Sequence, residues 1–86
     1  MEGSSPRVRA LMRQAQRTEE SGKRAAAEQL YRQILAEEPE TGDAWLGLAR
    51  VSADEATRVE ALQQVLALDP DNSAAKALLQ GSDGVT

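Results

Sequence analysis

Apolar side chains recur at steps of three and four residues along most of the chain. The clearest stretch covers residues 27–40, whose apolar positions are Ala27, Leu30, Tyr31, Ile34 and Leu35. This spacing places them on one face of an α-helix, whereas a half-buried strand would alternate apolar and polar residues. Pro39 ends the predicted helix, because proline lacks a backbone N–H and disfavours helical geometry in the residue before it.

The same pattern returns later in the chain at a constant displacement. Leu62, Val65, Leu66 and Pro70 take the places of Tyr31, Ile34, Leu35 and Pro39. A helix followed by a stop, used twice in 86 residues, indicates a repeat protein.

The periodicity and the breaks between apolar stretches predict an all-α chain of about five helices, folded as antiparallel hairpins. The predicted helices are Pro6 to Glu20, Lys23 to Glu37, Gly42 to Val51, Ala53 to Leu68 and Ser73 to Gln80. This length allows one small domain, which we expect to span residues 6–80 between flexible tails at residues 1–5 and 81–86.

Cap residues support these bounds. Ser5 before Pro6 is a typical helix start, and Gly22 can adopt the left-handed conformation that closes a helix. Residues 52–55 match a capping box, with Ser52 as the cap and Glu55 three positions on. Further predicted caps are Thr41 for the third helix and Asn72 or Ser73 for the fifth.

One group of residues agrees in spacing with the 34-residue tetratricopeptide repeat, which the chain resembles from about Val8 to Gln80. The matching positions in the first unit are Leu11, Ala15, Gly22, Ala27, Tyr31, Ile34 and Pro39. The resemblance implies a superhelix of helical hairpins that binds proteins or peptides.

The second unit resembles the family less closely. Trp45 and Ala49 follow Leu11 and Ala15 by the family's full repeat length, but the later positions return three residues sooner. Three residues are therefore missing around residues 52–57. The family pattern has a small residue where the two helices of a hairpin cross closely. In the second unit this position falls at Arg58, or at Ala61 if the gap lies elsewhere. The fifth helix resembles the truncated opening of a third unit.

Composition excludes several kinds of chemistry. The chain has neither histidine nor cysteine, which removes disulfides, thiolate or imidazole metal sites and the usual catalytic bases. No glycine-rich loop precedes a helix, and the paired acids fall at helix ends, where solvated charge is ordinary. We therefore expect no catalysis, cofactor, metal or small-molecule substrate. Residues 1–7 contain no signal-peptide-like apolar run, which favours a cytoplasmic location.

The resemblance implies a concave groove lined by the first helix of each unit. Carried onto this chain, the groove residues are Arg9, Met12, Arg13, Gln16, Asp43, Leu46 and Arg50. Met12 and Leu46 would form its apolar centre, unless both are partly buried between the hairpins. Arginine binds carboxylates through two parallel hydrogen bonds, so we expect a protein or peptide partner with apolar anchors and acidic groups.

Two alternatives remain open. A stack of about two units has open ends, which also suits a structural module that self-associates weakly through its groove or an end. RNA binding through Arg7, Arg9, Arg13 and Arg17 is a weaker alternative. Residues 1–32 carry a net charge of +3 and residues 33–86 carry −7, and this charge dipole argues against nucleic acid as the main partner.

Overall fold

The computed structural model describes residues 5–83 and contains five helices in that range. They are α1 (Pro6–Glu20), α2 (Arg24–Glu37), α3 (Gly42–Val51), α4 (Glu55–Leu68) and α5 (Ser73–Asp83). No strand occurs between residues 5 and 83, so the predicted all-α fold is confirmed. The predicted bounds of α1 and α3 agree with the structure residue for residue. Helix α5 continues three residues beyond its predicted end at Gln80.

Each helix packs against the next one along the chain. Helices α1 and α2 form one hairpin, α3 and α4 form a second, and α5 packs on α4, while α2 joins the hairpins by packing on α3. A smaller contact joins α1 to α3. The resulting stack is flat, with extents of 42 × 29 × 18 Å. None of the helices in the described range is long and apolar enough to cross a membrane. Residues 1–4 of the predicted tail at 1–5, and residues 84–86 of the predicted tail at 81–86, lie outside the described residues.

The caps of the first hairpin form as predicted. The Ser5 hydroxyl accepts a hydrogen bond from the Val8 N–H at 3.2 Å, and Pro6 occupies the first helical position. Gly22 has φ +82°, a left-handed conformation, and its N–H donates to the Glu19 carbonyl at 2.9 Å. A side chain at this position would be strained, because L residues rarely adopt that φ.

The capping box predicted for α4 is wrong. Asp54 caps this helix, since its carboxylate accepts hydrogen bonds from the Thr57 N–H at 2.9 Å and the Thr57 hydroxyl at 2.7 Å. Ser52 belongs to the end of α3, where its N–H donates to the Leu48 carbonyl. Its hydroxyl accepts from the Asp54 N–H at 3.2 Å. Because Asp54 rather than Ser52 caps the helix, α4 begins at Glu55 and not at the predicted Ala53.

The other two predicted caps differ from each other. Asn72 caps α5, because its side-chain oxygen accepts from the Ala75 N–H at 2.9 Å. Thr41 precedes α3 but does not cap it through its side chain. Its hydroxyl instead donates to the Glu38 carbonyl at 2.8 Å and closes the turn between the hairpins.

The core follows the predicted apolar stripe. The largest fully buried side chains are Tyr31, Ile34, Leu62, Val8 and Val65. Leu11, Leu30, Leu35, Trp45 and Leu66 are only partly buried and pack against this core from its edge. The stripe that defined the repeat in the sequence therefore supplies the buried centre of both hairpins.

The three missing residues of the second unit come from the end of α3. The turns of both hairpins have equal length, at residues 21–23 and 52–54, and α2 and α4 are equally long. If the end of α3 followed the end of α1 by the same number of residues as Trp45 follows Leu11, α3 would end at position 54. It ends at Val51 instead. The gap is therefore in α3 and not in the turn after it.

The two candidate positions for the close contact of the second hairpin differ in burial. Ala61 is fully buried, whereas the Arg58 side chain is 37% exposed. Because the gap precedes α4, Arg58 and not Ala61 takes the place of Ala27, so the second hairpin has a partly exposed arginine where the first has a fully buried alanine.

Gly47 has a structural role that the sequence did not reveal. It is buried in α3, and a Cβ built on it would lie 2.3 Å from two ring atoms of Tyr31. Tyr31 is fully buried, so its ring has little room to move aside. The absence of a side chain at Gly47 thus lets α2 and α3 approach closely.

Replacing Gly47 by Ala should therefore destabilise the protein by about 1–3 kcal/mol, the usual range for overpacking a dense core. Gly42→Ala is the matched control, because Gly42 lies in the same helix and a Cβ added to it would meet nothing within 4 Å. It should be neutral or slightly stabilising, since alanine favours helix over glycine. Urea unfolding followed by circular dichroism measures both effects, and equal effects would contradict the close contact.

Candidate functional site

A shallow groove lies between α1 and the start of α3. It has a volume of about 280 Å³ and is lined by Val8, Arg9, Met12, Arg13, Thr41 and Asp43. Four of the seven residues predicted for the partner-binding surface line this groove: Arg9, Met12, Arg13 and Asp43. The two helices contribute unequally, because the apolar and basic residues come from α1 and the acidic residue from α3.

The groove combines an apolar floor with charged walls. Val8 is fully buried beneath it, and Met12 is partly buried and packs against the core. Arg13 is exposed, one helical turn beyond Arg9, so both guanidinium groups belong to the same side of α1. Asp43 is in the first turn of α3 and is also exposed. This arrangement can receive an apolar side chain and hold a neighbouring carboxylate through arginine.

The remaining predicted residues lie elsewhere. Gln16 and Arg50 line a second depression of about 340 Å³, together with Glu19 and Glu20. Leu46 lines neither depression; it is half-buried and packs against the hydrophobic core. The structure therefore brings four of the predicted residues together and separates the other three from them.

Arg50 is engaged by a carboxylate of the same chain. Its Nε donates to Glu19 Oε2 at 2.8 Å and its Nη2 donates to Oε1 at 3.1 Å, which is the paired geometry that arginine favours. The Tyr31 hydroxyl donates to the same Oε1 at 2.7 Å. One carboxylate of α1 thus joins α2 and α3, and we call these three residues the Glu19 junction.

The junction shifts the pKa of each member. The hydrogen bond from Arg50 lowers the pKa of Glu19, against the opposing effect of burial. Burial, followed by the hydrogen bond to Glu19, raises the pKa of Tyr31 from 10.0 to about 12. Hydrogen bonding to Glu19 raises the pKa of Arg50. The charged forms of Glu19 and Arg50 and the neutral form of Tyr31 are therefore the ones that the fold stabilises.

The sequence alone did not reveal the junction, because its members are far apart in the chain. One signal was present: a tyrosine within a buried stripe needs a hydrogen-bond partner for its hydroxyl. That signal calls for an acceptor near the stripe but does not select Glu19 from the other acids.

Comparison with models of protein families matches residues 8–51 to the tetratricopeptide repeat. The match begins in α1 and ends at the last residue of α3. Comparison with curated proteins and with solved structures gave no match.

Alkaline titration tests the Glu19 junction, because Tyr31 is the only tyrosine in the chain. Tyrosinate absorbance should report ionisation with a pKa of about 12. Between pH 10 and pH 12 the folded state keeps the tyrosine proton, whereas the unfolded chain, with a tyrosine pKa of 10.0, loses it. The stabilisation of the fold by the neutral form of Tyr31 is therefore present below pH 10 and is lost towards pH 12.

Glu19→Gln is the informative variant for this titration. It removes the negative charge that opposes ionisation, so the pKa of Tyr31 should fall but stay above 10.0, since burial is the larger cause. Circular dichroism at each pH confirms that the helices are intact. An ordinary tyrosine pKa in the folded wild type would contradict the junction.

Proposed function

The chain belongs to the tetratricopeptide repeat family, and from that premise we propose that it is a non-catalytic module that binds a protein or peptide in the groove between α1 and α3. The observation that carries this proposal is the groove itself, which the partly buried Met12 lines together with Arg9, Arg13 and Asp43. Methionine is unbranched and polarisable, so it adapts to apolar side chains of different shapes. A cytoplasmic location remains a prediction.

The charges of the groove select the partner's chemistry. An apolar side chain of the partner would occupy the space over Met12 and Val8. A carboxylate next to it in the partner would accept hydrogen bonds from Arg13, whose flat guanidinium offers paired donors. Asp43 would accept a hydrogen bond from a backbone amide of the partner. The proposed ligand is therefore a peptide segment with an apolar anchor beside an acidic residue.

Selection of displayed random peptides on the immobilised protein tests this function. Enriched peptides should pair an apolar residue with an acidic one, and calorimetry then measures their affinity. Arg13→Glu should weaken binding by about tenfold or more, since it removes a charge-assisted hydrogen bond and adds repulsion. Met12→Glu should abolish it by placing a charge on the apolar floor.

Arg17→Glu is the matched control, because Arg17 is exposed one turn further along α1 and does not line the groove. Its replacement should leave peptide affinity nearly unchanged. Enrichment of basic peptides, or equal losses at Arg13 and Arg17, would contradict the groove. RNA binding through the arginine row predicts such equal losses with single-stranded RNA, together with a steep dependence on salt.

Self-association is the second candidate function, and two exposed leucines favour it. Leu68 at the end of α4 is 45% exposed and Leu78 in α5 is 37% exposed. Both belong to the second half of the stack, where no further repeat covers them within the described residues. Burying them against another copy would remove apolar surface from water.

We expect weak, concentration-dependent dimerisation, which Leu68→Glu should reduce without changing the helix content. Light scattering over a concentration series measures the mass. A strict monomer at the highest attainable concentration would remove this candidate and leave peptide binding as the function.

A further inference from the structure

Three arginines from three helices surround a separate cavity at the edge of the fold where the hairpin turns lie. The cavity has a volume of about 330 Å³, and its lining includes Arg24, Arg50 and Arg58. Arg24 is the first residue of α2, Arg50 lies in the last turn of α3, and Arg58 is the fourth residue of α4. None of the three lines the groove between α1 and α3.

The shortening of α3 accounts for the position of this cavity. Helix α3 ends at Val51, and Val51 lines the cavity together with Glu19 from the last turn of α1. The three residues that would continue α3 to the end expected from α1 are missing at this point. The space is therefore left open between the end of α3 and its neighbours, with Leu78 of α5 on its wall.

The three arginines differ in how many of their N–H donors form hydrogen bonds. Arg50 is held by Glu19 through two hydrogen bonds. Arg58 donates from Nη2 to Glu55, but its Nε is buried and has no hydrogen-bond partner, the one such side-chain atom among the described residues. Arg24 forms no ion pair with any side chain between residues 5 and 80. A buried donor without an acceptor is costly. An atom without solvent access cannot contact an incoming ligand, so only the exposed part of the Arg58 guanidinium can bind one.

The cavity also carries excess positive charge. Three arginines and one carboxylate, Glu19, line the cavity. Arg50 and Tyr31 bind Glu19, and Arg58 pairs with Glu55 outside the lining, so the positive charge of Arg24 is in excess. Arg24 and the exposed part of the Arg58 guanidinium remain to receive a ligand. Donors on different helices suit a tetrahedral group with several acceptor oxygens better than a planar carboxylate, which one guanidinium fork satisfies.

We propose that this cavity binds a phosphate group, and that a phosphorylated side chain of the protein partner supplies it. The source of the phosphate rests on the proposed function, whereas the binding site rests on the cavity alone. Its oxygens accept hydrogen bonds from the exposed N–H groups of Arg24 and Arg58.

Titration with inorganic phosphate at constant ionic strength tests the site without any peptide. The N–H signals of the arginine Nε atoms in ¹H–¹⁵N NMR spectra are the readout. The Arg58 signal should shift along a saturable curve. Arg24→Gln should weaken phosphate binding about tenfold, the loss expected for one charge-assisted hydrogen bond. Arg32→Gln is the control, because Arg32 pairs with Glu28 on α2 outside the cavity, and it should change nothing.

Three results would overturn the proposal. They are a parallel, non-saturating shift of all arginine signals, an equal loss in Arg32→Gln and Arg24→Gln, and tighter binding of acetate than of phosphate. Met12→Glu separates this site from the peptide groove, because it should abolish peptide binding and preserve the phosphate response. Failure of the groove and failure of the phosphate site therefore give different results.

Discussion

The ring of Tyr31 packed against the bare backbone of Gly47 is the contact on which the rest of the structure depends. It lies in the interface between α2 and α3, which joins the two hairpins. The hydroxyl of the same ring reaches Glu19 in α1, and Glu19 holds Arg50 in α3. A single side chain thus fixes three helices relative to one another. Both the groove and the arginine-lined cavity are bounded by α1 and α3, so their shapes follow from this arrangement.

Magnitudes show which part of the junction dominates its stability. Burying a large side chain such as Tyr31 contributes about 1.5–3 kcal/mol. The Glu19–Arg50 ion pair has side chains 22% and 40% exposed, so water screens it, and such pairs contribute about 0.2–1 kcal/mol. Packing therefore supplies the stability of the junction. The ion pair determines geometry instead, because its paired hydrogen bonds set the position of α1 over the end of α3.

Most of the fold could be predicted because its signals are local. The period of the apolar stripe, the proline stops and the Gly22 turn act within a few residues, and they predicted the number of helices and seven of their ten ends. The start of α4 was misjudged because Ser52 and Asp54 are both competent caps, and only the end of α3 decides between them. Gly47 carried no local signal, since its role depends on a ring in the preceding helix.

The candidate site was less predictable, because several of its contacts join residues that are far apart in the chain. The positions of Arg9, Met12 and Arg13 follow from helical spacing within α1, and the structure places them in one groove with Asp43. Arg50 was grouped with them by its place in the repeat, but its partner Glu19 is distant in the chain. The arginine-lined cavity depends on where three residues are missing from the second unit. The repeat spacing placed that gap only approximately, and helix packing was needed to locate it at the end of α3.

A double-mutant cycle between Tyr31→Leu and Gly47→Ala tests the central contact most directly. Leucine at position 31 is compatible with the fold, because Leu62 fills the corresponding buried position of the second repeat. Each unfolding free energy is measured in urea. The methyl group at position 47 should be harmful beside tyrosine and nearly harmless beside leucine, with a coupling of about 1 kcal/mol or more. Additive effects of the two substitutions would contradict the close packing of α2 on α3 through this ring.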